Sequence, residues 1–213
     1  MILKRDATVV FIGDSITYEP GGYVAGVREL LQARIPKDPP TVINAGVNGD
    51  TVVQMLARFD RDVIVHDPHW VSIMAGVADT VWQMGDRADT PPETQGSEPA
   101  EFGETVQEMV ERARDAGAEV ALCTPTRFEE NFSGDTAAGN RIIKQKIREL
   151  EHIARDQQLL LIPTGAVLHK ARKDAAETGD TLHFTPDGLH PDAYGHSLMA
   201  LAVLAAFGYR LRL

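Results

Sequence analysis

Five short apolar runs recur along the chain, at 8–12, 41–44, 70–75, 119–124 and 159–163, each with the length and composition of a strand rather than a helix. The first reads Thr-Val-Val-Phe-Ile and is closed by Gly13. Its lack of polar alternation suits a strand covered on both faces. Between the runs lie segments with helical spacing, at 23–35, 51–65, 99–116, 136–157, 165–177 and 191–206. In 23–35, Val24, Val27, Leu30 and Leu31 fall on one face. Pro191 suits the first turn of the last helix. Strand–helix alternation predicts right-handed crossovers and an α/β fold, a parallel sheet with helices on both faces. Ligands in such folds bind beyond the carboxyl ends of the strands, so the chemistry is expected in the loops that follow them. The segment 79–99, rich in Pro, Gly, Asp, Glu and Thr and without periodicity, reads as a long surface loop beside that edge.

At 213 residues the chain fits a single domain spanning 1–213. Its formal charge of −10 opposes nucleic acid as a partner, because affinity for phosphate backbones comes largely from Lys and Arg. The lone cysteine, Cys123, rules out an internal disulfide framework and any multi-cysteine metal site. The histidines other than His190 have no metal-like spacing. No stretch has the length and apolarity of a membrane span, and the apolar run near the N-terminus is short for a signal peptide. These features predict a cytoplasmic chain with no metal or cofactor and no membrane association, whose negative charge is indifferent to a neutral small-molecule substrate. Homo-oligomers are compatible with the sequence, which marks no interface.

Directly after the first run comes Gly13-Asp14-Ser15-Ile16-Thr17, which puts a serine at the carboxyl edge of the sheet. A serine hydroxyl is a weak nucleophile until a base takes its proton, and an imidazole held by a carboxylate is the common solution. Asp187-Gly188-Leu189-His190-Pro191 supplies both groups in one loop before the last helix, close enough for Asp187 to orient His190.

Three segments together, Gly13-Asp14-Ser15, Asn44 through Thr51 (Asn-Ala-Gly-Val-Asn-Gly-Asp-Thr) and Asp187-x-x-His190, resemble the successive blocks of the SGNH, or GDSL, hydrolases. The resemblance implies a flavodoxin-like three-layer α/β/α sandwich with a five-stranded parallel sheet. It also implies Ser15 as nucleophile, His190 as base and Asp187 as the group holding the base. Three oxyanion donors go with them: the amides of Ser15 and Gly49, and an asparagine side chain. The block that carries this asparagine falls on Gly76-Val77-Ala78-Asp79, so Ala78 stands in its place. A methyl group donates no hydrogen bond, and losing one such donor lowers turnover by roughly 10² to 10³. Either the chain has lost or relocated the donor, with Asn48 as a substitute, or the sequence was altered to slow turnover.

Other residues read more quietly. Asp14, Asp79 and Asn44 are expected to tie down loop backbone rather than touch substrate. Trp82, just past the altered block, could stack on a sugar or simply pack. His183 and His196 flank the Asp187–His190 loop and are assigned ordinary surface or helix roles. Cys123 is assigned to the core. Asn131-Phe132-Ser133 matches a glycosylation sequon, which carries no weight without a secretory signal.

The segments also resemble the bacterial xylan and xylo-oligosaccharide acetylesterases within the family, through Gly22-Tyr23-Val24, Trp70-Val71-Ser72-Ile73-Met74 and Trp82. That implies a serine esterase acting on short acyl groups, acetyl first, carried on carbohydrate. The alternatives are a lysophospholipase or acyl thioesterase with the same site, and a catalytically inactive ligand-binding homologue. A flavodoxin-type phosphate cradle after the first strand would leave Asp187-x-x-His190 unexplained.

Overall fold

The computed structural model describes residues 3–85 and 101–209. Five parallel strands form one sheet in the order β2-β1-β3-β4-β5, with β1 at Thr8–Gly13, β2 at Thr41–Gly46, β3 at Trp70–Met74, β4 at Glu119–Cys123 and β5 at Leu160–Ile162. This doubly wound order reverses direction at β1, so the crevice at the carboxyl ends of β1 and its neighbours is where a ligand fits. Gly13 pairs in register with both Gly46 and Met74. Three post-strand loops therefore start at one level.

Side-chain alternation splits the interior into two cores. Val9 and Phe11 of β1, with Ala121 and Cys123 of β4, face one layer, while Val10 and Ile12, with Val120 and Leu122, face the other. All eight are buried, which is why these runs read as continuously apolar. The first core is covered by α2 (Tyr23–Arg34), α8 (Thr164–Glu177) and α9 (Ala193–Ala206). The second is covered mainly by α3 (Val52–Ala57), α4 (Phe59–Asp62), α6 (Phe102–Asp115) and α7 (Thr136–Asp156). Among the described residues no helix is long and apolar enough to cross a membrane.

Three expectations are corrected and one short helix is added. The segment 51–65 is not one helix. α3 opens on a capping box between Thr51 and Gln54, but Arg58 leaves helical geometry and turns its guanidinium inward, and α4 and a 3-10 turn at Ile64–His66 follow. The start of the predicted loop 79–99 is helical, within α5 (Val77–Gln83), and 86–99 lie outside the described residues. Ser15–Tyr18 forms a short helix, α1, too brief for periodicity to reveal. Pro191 precedes the last helix rather than opening it, because Asp192 accepts the Gly195 amide and caps α9 at Ala193.

Candidate active site

The site is assembled from three post-strand loops and the turn before α9. Asp14 caps α1 by accepting the Ile16 N–H at 3.0 Å. Ser15 then occupies the first helical position, where an amide has no intrahelical acceptor. The other Asp14 oxygen accepts the Ala78 N–H at 3.4 Å and so joins the first loop to the third. Burial pushes the Asp14 carboxyl up to about 6, against the pull of those two amides. Asp79, buried at the start of α5, accepts the Val52 N–H at 3.2 Å and joins the third loop to the second. Asn44 donates to the Thr17 carbonyl at 2.7 Å and accepts from the Gly46 amide. All three have the backbone-holding roles expected of them.

Ser15 Oγ lies 2.9 Å from His190 Nε2, across 175 positions of sequence. His190 Nδ1 lies 2.7 Å from Asp187 Oδ2, and Asp187 Oδ1 accepts the amides of His190 and Leu189 at 2.7 and 2.9 Å. Partial burial works against ionisation of Asp187, but the imidazole and the two amides outweigh it and hold the carboxyl below its ordinary value. A carboxylate at this distance favours the tautomer with Nδ1–H toward it, which leaves an unprotonated Nε2 facing the serine hydroxyl, an arrangement able to accept a proton from it.

Gly49 sits in the left-handed region, φ 76°, in the turn closed by the Asp50 N–H on the Val47 carbonyl. Asn48 is exposed on that turn. Ala78 is buried in the first turn of α5. Trp82 lies on α5 beyond it, half-buried, and among the described residues no hydrogen bond or ring contact joins it to Ser15 or His190. Cys123 is buried, with its thiol pushed up to about 12 by desolvation.

Several bracing residues escape a sequence reading. Arg58 donates to Asp50, to the Ala45 carbonyl at 2.7 Å and to the Gly13 carbonyl at 3.3 Å, tying β1 and β2 to the Gly49 turn. Glu129, buried after β4, accepts the Phe184 N–H at 3.2 Å and faces His183 Nδ1 at 3.2 Å. Asn131 donates to the carbonyls of Thr185 and Pro186 at 2.8 and 2.9 Å. Its amide is thus a strut beneath the Asp187–His190 loop, a use that a sequon match does not suggest. Lys146 is buried with its ammonium 4.1 Å from the Phe102 ring centre, near Asp79.

A model of the GDSL-like lipase/acylhydrolase family matches residues 11–198. The chain belongs to this family. Within this family, the chain is 31% identical over 215 residues to an acetylxylan esterase of Geobacillus stearothermophilus, covering 94% of each chain. The crystal structure of Axe2, an acetylxylan esterase from the same organism, superposes with a TM-score of 0.82 at 28% identity, covering 99% of this chain and 98% of that one. LAE5, an alpha/beta hydrolase from the metagenome of Lake Arreo, Spain, superposes with a TM-score of 0.83 at 26% identity and 98% coverage of both. The α/β fold is that of these hydrolases, and the protein is a carboxylic ester hydrolase.

Proposed function

We propose that the chain hydrolyses short-chain esters, acetyl foremost, carried on carbohydrate, through Ser15, His190 and Asp187. The observation that carries this is the continuous hydrogen-bonded line from Ser15 Oγ through His190 to Asp187, at 2.9 and 2.7 Å. The relatives support it. Catalytic mutants of Axe2 replace a serine, an aspartate and a histidine by alanine, the last two in the same Asp-x-x-His spacing, and Axe2 is described as an acetyl-xylooligosaccharide esterase.

In this reading His190 Nε2 takes the proton of Ser15 as Oγ bonds to the acetyl carbon. The tetrahedral oxyanion is met by the amides of Ser15 and Gly49. As the C–O bond to the sugar breaks, the alkoxide takes the proton from His190 and leaves. Water, deprotonated by the same ring, then attacks the acyl-serine, and acetate departs as Oγ recovers its proton. Asp187 keeps the imidazole in the required tautomer and stabilises its cationic form. Ala78 supplies no third oxyanion donor, so turnover is slowed.

The test is hydrolysis of 4-nitrophenyl acetate by the parent chain, by Ala78→Asn and by Ser15→Ala. Restoring a donor is expected to raise kcat by about 10², with Ser15→Ala at background. Equal rates in parent and Ala78→Asn, both well above the serine variant, would mean that another group stabilises the oxyanion. Background rates in all three would overturn the reading.

A further inference from the structure

An open cleft of about 490 Å³ borders His190, and its wall includes Glu19, Asp187, Asp192 and His196. It joins the turn after α1 to the start of α9. His196 is only 5% exposed. Its Nδ1 accepts the Tyr23 N–H at 3.1 Å, and its ring stacks on the Tyr23 phenol ring at 6.3 Å between centres and 11° between planes. A ring nitrogen that accepts carries no proton, so the neutral ring bears its hydrogen on Nε2. Burial holds this imidazole below its ordinary pKa although the carboxylates of Glu19 and Asp192 pull the other way, and the ring is neutral at pH 7.

Among the described residues no acceptor meets His196 Nε2. The Nε2–H is not sealed in the interior but opens on the cleft, where an oxygen of an occupant would take the place of solvent. Asp192 uses Oδ1 to cap α9 and leaves Oδ2 to the cleft, and the Glu19 carboxylate has no protein partner among the described residues. One donor, on a largely buried ring, thus stands among carboxylate acceptors. That combination fits a hydroxylated molecule. It disfavours a cation, which would face the N–H, and an anion, which would face the carboxylates.

We infer that this cleft is the alcohol-side subsite, taking a neutral, hydroxyl-rich leaving group whose oxygen accepts from His196 Nε2–H and whose hydroxyls donate to Glu19 and Asp192. The inference rests on the esterase reading above, in which the alcohol departs with the proton of His190 and so extends into the space beside that ring. A sugar engages all three groups. A nitrophenol offers no further hydroxyl to Glu19 or Asp192 and no sugar oxygen to His196, and so serves as the internal reference.

The experiment compares kcat/KM on partially acetylated neutral xylo-oligosaccharides with kcat/KM on 4-nitrophenyl acetate. The variants are His196→Asn, which keeps an acceptor for the Tyr23 amide and draws the donor back from the Nε2 position because its side chain is shorter, and the pair Glu19→Gln with Asp192→Asn, in which asparagine still caps α9. The ratio of sugar ester to nitrophenyl ester should fall about tenfold in His196→Asn and several-fold in the double variant. Inhibition of nitrophenyl acetate hydrolysis by deacetylated xylo-oligosaccharide should weaken in step. Unchanged ratios and unchanged inhibition in variants that melt like the parent would overturn the subsite and leave the esterase reading standing. If neither ester is hydrolysed by the parent or by Ala78→Asn, the esterase reading fails and the subsite with it.

Discussion

Asp14 is the residue on which two loops of the site hang, and among the described residues no ion pair meets its buried carboxyl. Burial pushes it up to about 6 from an ordinary value of 3.8, so between those values the folded chain holds a proton that the unfolded chain releases. The stability this provides is complete below 3.8 and is lost as pH rises through about 6. At pH 7 the ionised group costs on the order of 3 kcal/mol relative to acid conditions. Asp14→Asn removes the titration. Thermal melts between pH 4.5 and 7 should show the parent losing stability relative to the variant as pH rises, and a pH-independent difference would contradict the assignment. Ala78 is the opposite case, a side chain that takes no part in holding the loops although its amide does. A substitution there changes the chemistry of the loop without removing the Asp14 bond, so Ala78→Asn should fold as the parent does.

At the scale of elements, the turn carrying Asp187 and His190 leans on the loop after β4. The Glu129 N–H donates to the Gly188 carbonyl at 2.9 Å, and Gly188 has φ 79°. A Cβ at Gly188 would fall on the backbone nitrogen of Phe132. Gly188→Ala must therefore push the turn off its support, and displacements near 1 Å in a site of this kind cost on the order of 10²-fold. The expected result is a fall in kcat on 4-nitrophenyl acetate of at least about tenfold, far out of proportion to the change in KM. Full activity with an unchanged melt would mean that the turn does not need this contact. This brace was not legible in the sequence, since Glu129 and Asn131 act through space on carbonyls and amides more than fifty positions away. Strands and long helices were legible because their apolar spacing is a local property. The short helices α1 and α5 were not, because α1 is set by the Asp14 cap and α5 is tied to neighbouring loops through the Ala78 amide and the Asp79 carboxylate. The order of the motifs brought Ser15, Asp187 and His190 together, and the bracing by Asp14, Asn44 and Asp79 was expected with them; the arms from Arg58, Glu129 and Asn131 were not.

The whole molecule is a sheet with an apolar core on each face, and neither core is independent of the strands they share. Met199 is fully buried in one core and Met109 in the other. Each changed to alanine should cost about 2–5 kcal/mol. Because β1 and β4 contribute to both cores, either change should lower the same single calorimetric transition, with calorimetric and van't Hoff enthalpies equal. Two resolved transitions would mean that the layers melt separately. The Ser15–His190 contact spans 175 positions, joining the first post-strand turn to the turn before the last helix. On the proposed chemistry, hydrolysis then reports on the completeness of the polypeptide. A fragment still on the ribosome, with its first four strands emerged, would carry the serine and no base. It would remain silent toward any ester it met until translation had passed position 190 and the closing segment had docked.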